Sequence, residues 1–242
     1  MSLTYLDFLA VFLLVPLSVL CLGTVVYGPR ERPALSVRVG GIAVIIVLAL
    51  AYTIPWDNYL IAEGVWWYGD GRVTATVWLA PIEEYLFIVL QSVLVAVWTF
   101  QLAGPVDDTV GHTWRDRGLG AFAGLLVAAV GGASLLAGGP TYYLGAILLW
   151  AGPVFALQWA VGWRYLLRVR RRVLAAVGVP VVYLCAIDRV AIAGGIWTIS
   201  PDHTTGLAVA GLPIEEATFF LVTSTFVVQG LVLLRWVIAR WG

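Results

Sequence analysis

Seven apolar runs dominate the chain, at about 3–26, 36–55, 77–101, 118–137, 142–163, 172–193 and 207–236, each long enough to cross a bilayer and each bounded by charged or Gly/Pro-rich connections. Composition agrees: 61% hydrophobic and 12% charged residues leave too little polar surface to coat a soluble domain of 242 residues. The expected class is an all-α integral membrane protein of about seven transmembrane helices. The run from Leu3 to Val26 has no basic flank before it and exceeds a signal-peptide core, so it reads as a retained first span.

Fourteen basic residues balance fourteen acidic ones, so net charge points to no nucleic acid and no acidic partner. Every basic residue is arginine, and the arginines are unevenly placed. Alternate connections and the C-terminal segment hold Arg30, Arg32, Arg38, Arg115, Arg117, Arg164, Arg168, Arg170, Arg171, Arg172, Arg235 and Arg240; the other side has Arg72 and Arg189. The positive-inside tendency then predicts a multi-pass protein of the cell membrane with its N-terminus outside and its C-terminus in the cytoplasm. Cys21 and Cys185 lie in separate apolar runs and His112 and His203 in separate loops, so neither a disulfide nor a metal site is expected.

Pro81-Ile82-Glu83-Glu84 recurs 132 residues later as Pro213-Ile214-Glu215-Glu216. Phe87 and Ser92 recur as Phe219 and Ser224, while Asp57 and Trp66 recur at an offset of 131 as Asp188 and Trp197. One inserted residue accounts for the change. The repeat divides the chain into two parallel three-helix copies, 1–102 and 139–242, joined by a connector, 103–138, whose single span restores the orientation of the second copy. A symmetry axis along the membrane normal is expected.

Carboxylates inside hydrocarbon are costly and ordinarily face a cavity or a partner. Adjacent helical residues point about 100° apart, so one glutamate of each pair can face the bundle centre while its neighbour faces another helix. Each proline either starts its helix or kinks a longer one. A glutamic acid in a dry apolar site is able to retain a proton at neutral pH and deliver it to a substrate. The plainer alternative is that these groups bind across helices and hold the bundle together. Asp57 and Asp188, at span ends, suit capping as well as catalysis. Trp56, Tyr59, Trp66, Trp67, Tyr68, Trp78 and Trp197 cluster near the same face, where an interfacial belt would put them; the same rings suit a transient carbocation. Asp107, Asp108 and His112 lie in an arginine-bearing loop on the opposite side and read as solvated.

The doubled Pro-Ile-Glu-Glu followed by Phe, with Pro55-Trp56-Asp57-Asn58 upstream and the Asp188 and Gly195-Ile196-Trp197 elements, resembles the membrane-embedded lycopene cyclases over nearly the whole chain. Those occur as two subunits in some bacteria and as one fused chain in archaea and fungi. The resemblance implies cyclisation of the open ends of lycopene to β-ionone rings, giving γ-carotene and then β-carotene, with no cofactor. The chain likewise has no dinucleotide-binding glycine pattern. It implies an apolar carotenoid substrate taken from the membrane lipid, Glu83, Glu84, Glu215 and Glu216 as the acid–base set with Asp57 and Asp188 in support, and Trp56, Trp66, Trp67, Phe87, Trp197 and Phe219 around the substrate. Which copy donates the proton, whether both ends react, and the oligomeric state stay open. A proton-coupled transporter using the intramembrane glutamates is the alternative. A retinal Schiff base is excluded because the chain has no lysine.

Overall fold

The computed structural model describes residues 3–27, 33–107 and 109–241, so Arg30, Arg32 and Asp108 lie outside the described residues. Its helices are α1 (Tyr5–Leu9), continued through a π turn (Ala10–Leu14) into α2 (Val15–Tyr27), then α3 (Leu35–Ala62), α4 (Ile82–Gln101), α5 (Trp114–Ala137), α6 (Tyr142–Arg168), α7 (Arg170–Ala193) and α8 (Ile214–Trp241). Among the described residues they supply seven helices long and apolar enough to cross a membrane. Large apolar side chains such as Leu22, Val25, Leu126 and Val182 stay exposed on their outer faces, as suits an apolar solvent. This is an all-α membrane protein.

Three boundaries differ clearly from expectation. The third and seventh spans start at Ile82 and Ile214, because the apolar residues before them form hairpins: β2 (Thr76–Val77) with β3 (Ala80–Pro81), and β5 (Ala208–Val209) with β6 (Leu212–Pro213). Pro81 is the N-cap of α4, in extended backbone. Proline fits there because the first turn of a helix leaves its N–H groups unused. The prolines therefore start helices. The second span, by contrast, continues through Pro55 to Ala62, so Asp57 is an interior helical residue.

Elements recur at the sequence offsets. Hairpins β2–β3 and β5–β6 occupy positions 132 apart, with positive φ at Trp78 (59°) and Ala210 (52°) at their tips. Asn58 Oδ1 accepts from the Leu79 and Ala80 amides at 2.7 and 3.0 Å, and Arg189, one position on from Asp188 as Asn58 is from Asp57, holds the other tip through the Gly211 carbonyl at 3.3 Å. Ile82 donates to the Ala75 carbonyl and Ile214 to the Leu207 carbonyl, whereas Thr74 and Thr205 play matching parts one offset earlier. Gly206, at φ 75°, is therefore the inserted residue.

Strand β1 (Trp66–Tyr68) pairs antiparallel with β4 (Trp197–Ile199), Trp66 opposite Ile199 and Tyr68 opposite Trp197. Gly69 donates to Ile196 (3.0 Å) and Ser200 to Val65 (2.8 Å), the same bond exchanged. Corresponding segments paired antiparallel in this way are related by a local two-fold axis through Trp67 and Thr198. Deeper in the bundle Gln91 Nε2 donates to Thr223 Oγ1 at 2.8 Å, again two corresponding positions in contact. Around this axis Phe8, Val95, Leu184 and Val228 of α1, α4, α7 and α8 form one core, and Leu60, Ile147, Trp150 and Val222 of α3, α6 and α8 form a second.

Helix α5 lies against α6 along a run of small residues. A Cβ at Gly120, Gly124 or Gly131 would collide with the backbone of Trp159, Ala156 or Leu149. Such close approach is how helices associate where lipid removes the hydrophobic drive.

Glu83 and Glu215, both fully buried, turn away from the bundle centre and clamp the hairpins. Glu83 Oε1 accepts from the Thr74 amide at 2.8 Å, and Glu215 Oε1 accepts from the Thr205 amide and hydroxyl, each at 2.8 Å. Removing either carboxylate takes the partner from a part-buried donor, at about 0.5–1.5 kcal/mol. Glu83→Ala and Glu215→Ala are each expected to lower thermal stability in detergent by that amount, measured by scanning fluorimetry. Gly124→Leu is expected to cost at least about 1–3 kcal/mol through overpacking. Gly40→Leu, where nothing lies within 4 Å, should leave the melting curve in place.

Candidate active site

Where Glu83 and Glu215 turn outward to the hairpins, the roughly 100° step of the helix turns Glu84 and Glu216 inward. Both line one cavity at the junction of the repeated elements, together with Asp57 from α3 and Asp188 from α7. Each aspartate is buried in its helix interior, Glu216 is buried as well, and Glu84 is partly buried. Among the described residues no arginine lines the cavity. Nothing cationic neutralises the cluster, so four simultaneous charges would repel strongly in a medium that already penalises each one.

Aromatic rings complete the walls. Trp56 lies parallel to Phe219 at 6.0 Å and to Trp150 at 4.8 Å, and Trp197 contacts Tyr5 at 4.9 Å. Trp66 and Phe87 also line the space. Trp67, expected among the substrate-lining rings, points the other way: successive strand residues alternate faces, and it is 48% exposed. Tyr59 and Trp78 are exposed too, so the aromatic group divides into a cavity set and an outward-facing set.

Hydroxyls and indoles supply the polar contacts. Tyr68 donates to Glu84 Oε1 at 2.8 Å and accepts from Trp66 Nε1 at 3.0 Å. Burial, and then the nearby Glu84 carboxylate, holds the Tyr68 hydroxyl well above the ordinary phenol range, so it keeps its hydrogen and remains a donor. Tyr5 is a second hydroxyl neighbour of Glu84, the Tyr143 hydroxyl lies beside Glu216, and the Trp197 indole lies beside Asp188. Tyr5 and Tyr143 escaped the sequence reading because they stand 138 residues apart, out of step with the repeat, although both lie near the start of the first span of their copy.

Asp107 pairs with Arg168 at 3.3 Å, and His112 Nε2 lies 3.0 Å from the Ala160 carbonyl, so neither is part of the cavity. His203 Nδ1 lies 3.1 Å from Ser200 Oγ, and both cysteines are free thiols. Among the described residues no group of three His, Cys, Asp or Glu side chains is arranged to hold a metal ion.

Residues 3–102 and 140–233 match the lycopene cyclase family. The chain is 52% identical to the lycopene beta-cyclase of Halobacterium salinarum over the full length of both. It is also 32% identical to the bifunctional lycopene cyclase/phytoene synthases of Gibberella fujikuroi and Arthroderma gypseum, covering 86% and 93% of this chain but 37% and 41% of those longer proteins. No solved structure matches it. Matches that span both Pro-Ile-Glu-Glu segments and the helices around them place the chain in the lycopene cyclase family.

Proposed function

We propose that this chain is a lycopene beta-cyclase working by redox-neutral acid–base chemistry at the four-carboxyl cavity. The observation that carries the reading is the convergence of Asp57, Glu84, Asp188 and Glu216 on one aromatic-walled cavity, three of them buried and Glu84 partly so. Ring closure needs an acid to protonate the terminal double bond, a dry enclosure for the carbocation, and a base to take a proton from the new ring. Attack by the neighbouring double bond forms the ring, and the proton lost equals the proton gained. No electron acceptor is involved, so no flavin is required.

Glu84 and Glu216 are the acid–base pair and Asp57 and Asp188 support them, while Glu83 and Glu215 hold the hairpins that start the two glutamate-bearing helices. Trp56, Trp66, Phe87, Trp197 and Phe219 enclose the cation, with each good ring contact contributing about 0.5–2 kcal/mol. The two copies, 1–102 and 139–242, each give one aspartate and one glutamate, and the 103–138 connector joins them. An apolar, rod-shaped carotenoid enters from the lipid side. The arginine-rich connections lie at the far end of the bundle, where Arg172 and Arg235 bind the Pro105 and Gly104 carbonyls beyond α4. That end is assigned to the cytoplasm and the cavity end, with the N-terminus, to the outside.

Expression in a lycopene-accumulating host tests the reading. Pigment analysis is expected to show one-ring and two-ring products, and the purified protein should turn over without added flavin or reductant. Glu84→Gln and Glu216→Gln should each lower product formation by about 10²-fold or more at equal membrane-inserted protein, the usual scale for losing a general acid or base. Unchanged lycopene in the presence of well-folded wild-type protein would contradict the assignment.

A further inference from the structure

The two half-sites come from repeated sequence, yet they differ at one position in the hydrogen-bonding partners of their carboxyls. Tyr68 in the first copy corresponds to Ile199 in the second, and these residues occupy opposite ends of the β1–β4 pairing. In the first half the indole of Trp66 donates to the Tyr68 hydroxyl, which donates onward to Glu84 Oε1. An indole nitrogen can only donate, so the oxygen of Tyr68 is occupied as an acceptor and its hydrogen is committed to Glu84. Glu84 must therefore accept, and Tyr5 gives it a second hydroxyl neighbour.

The second half lacks this relay. Ile199 has no hydroxyl to accept from the indole of Trp197, which lies beside Asp188. Glu216 has Tyr143 alone, and its Oε1 is buried without a hydrogen-bond partner among the described residues. Charged neighbours do not separate the two glutamates. Glu84 faces Asp57, Asp188 and Glu216 from α3, α7 and α8, with Glu83 beside it on α4; Glu216 faces Glu84, Asp188 and Asp57, with Glu215 beside it on α8. With no cation in the cavity, hydrogen-bond donors decide which carboxyl bears the charge.

On the cyclase reading, we propose that the Trp66–Tyr68 relay makes Glu84 the proton acceptor of the reaction and leaves Glu216 as the proton donor, with Tyr68 a positioning residue found in only one half. The Glu216 hydroxyl proton passes to the terminal double bond, leaving a carboxylate and a carbocation. The neighbouring double bond gives its electron pair to the cationic carbon, closing the ring and moving the charge onto it. Glu84 then takes a ring proton, and the electrons of that C–H bond form the ring double bond. Return of a proton from Glu84 to Glu216 across the cavity restores the starting state with no net oxidation.

The test uses the full chain in lycopene-loaded proteoliposomes. Tyr68→Phe removes one donor from the Glu84 carboxylate, so the base should protonate at higher pH. The acidic limb of kcat/KM is expected to move upward by roughly one pH unit, with the alkaline limb in place. Trp66→Phe should move it the same way by less. In deuterated buffer Glu84→Gln keeps the donor, so acyclic lycopene recovered from it should carry solvent deuterium through reversible protonation, whereas lycopene recovered from Glu216→Gln should carry none. An acidic limb unmoved in active Tyr68→Phe, or exchange in Glu216→Gln but not in Glu84→Gln, overturns the assignment while the cyclase reading stands. The exchange pattern decides alone if Tyr68→Phe does not fold. Wild-type protein that forms no ring product overturns the cyclase reading and this assignment with it.

Discussion

The costliest feature of the molecule is a set of four carboxyls, three buried and one partly so, without a counter-cation among the described residues. An isolated charge in such a place costs many kcal/mol, and one left unpaired is strongly destabilising. The groups set against this cost are neutral: the Tyr68 hydroxyl donates to Glu84, with Tyr5 nearby, while Tyr143 lies beside Glu216 and Trp197 beside Asp188. Neutral donors leave the proton count of the cluster adjustable, which a salt bridge to arginine would not. Among the described residues no arginine lines the cavity, and Arg72 and Arg189, on the cavity side, are occupied by loop carbonyls.

Placement of these groups follows from a short device used twice. A hairpin ends on proline, the proline starts a helix, and the next turn presents two glutamates in divergent directions. One glutamate anchors the loop that precedes the hairpin, so the other has little freedom in where it points. The β1–β4 ribbon then joins the two devices about a local two-fold axis, bringing both inward glutamates to one cavity. The repeat supplies two glutamates and two aspartates; isoleucine at 199, where the first copy has Tyr68, makes the two halves inequivalent.

Much of this was readable from the residues. Apolar run length marks spans wherever the solvent is lipid, and the doubled Pro-Ile-Glu-Glu with its change of offset marks the repeat and the inserted residue. Other features required three dimensions. The helical step says that Glu83 and Glu84 diverge, but which of them turns inward depends on the Thr74 amide, whose position depends on the hairpin. The hairpin residues 76–81 and 208–213 are themselves apolar, so span length alone absorbed them into the helices. Trp66 and Trp67 are separated by strand alternation in a segment of three residues, too short for a periodic pattern. Tyr5 and Tyr143 share a place at unequal offsets, because α2 ends at Tyr27 and α3 starts at Leu35 whereas α6 ends at Arg168 and α7 starts at Arg170, so the connection between the first two spans is longer in the first copy.

The account rests most heavily on a carboxylic acid that keeps its proton inside the aromatic cavity at neutral pH. Infrared difference spectroscopy of the membrane-embedded protein reads this directly, since a protonated carboxyl has a C=O stretch that shifts in deuterated water. The predicted result is such a band at neutral pH, with a component lost in Glu216→Gln and retained in Glu84→Gln. A wild-type spectrum with every carboxyl ionised at neutral pH would contradict the account.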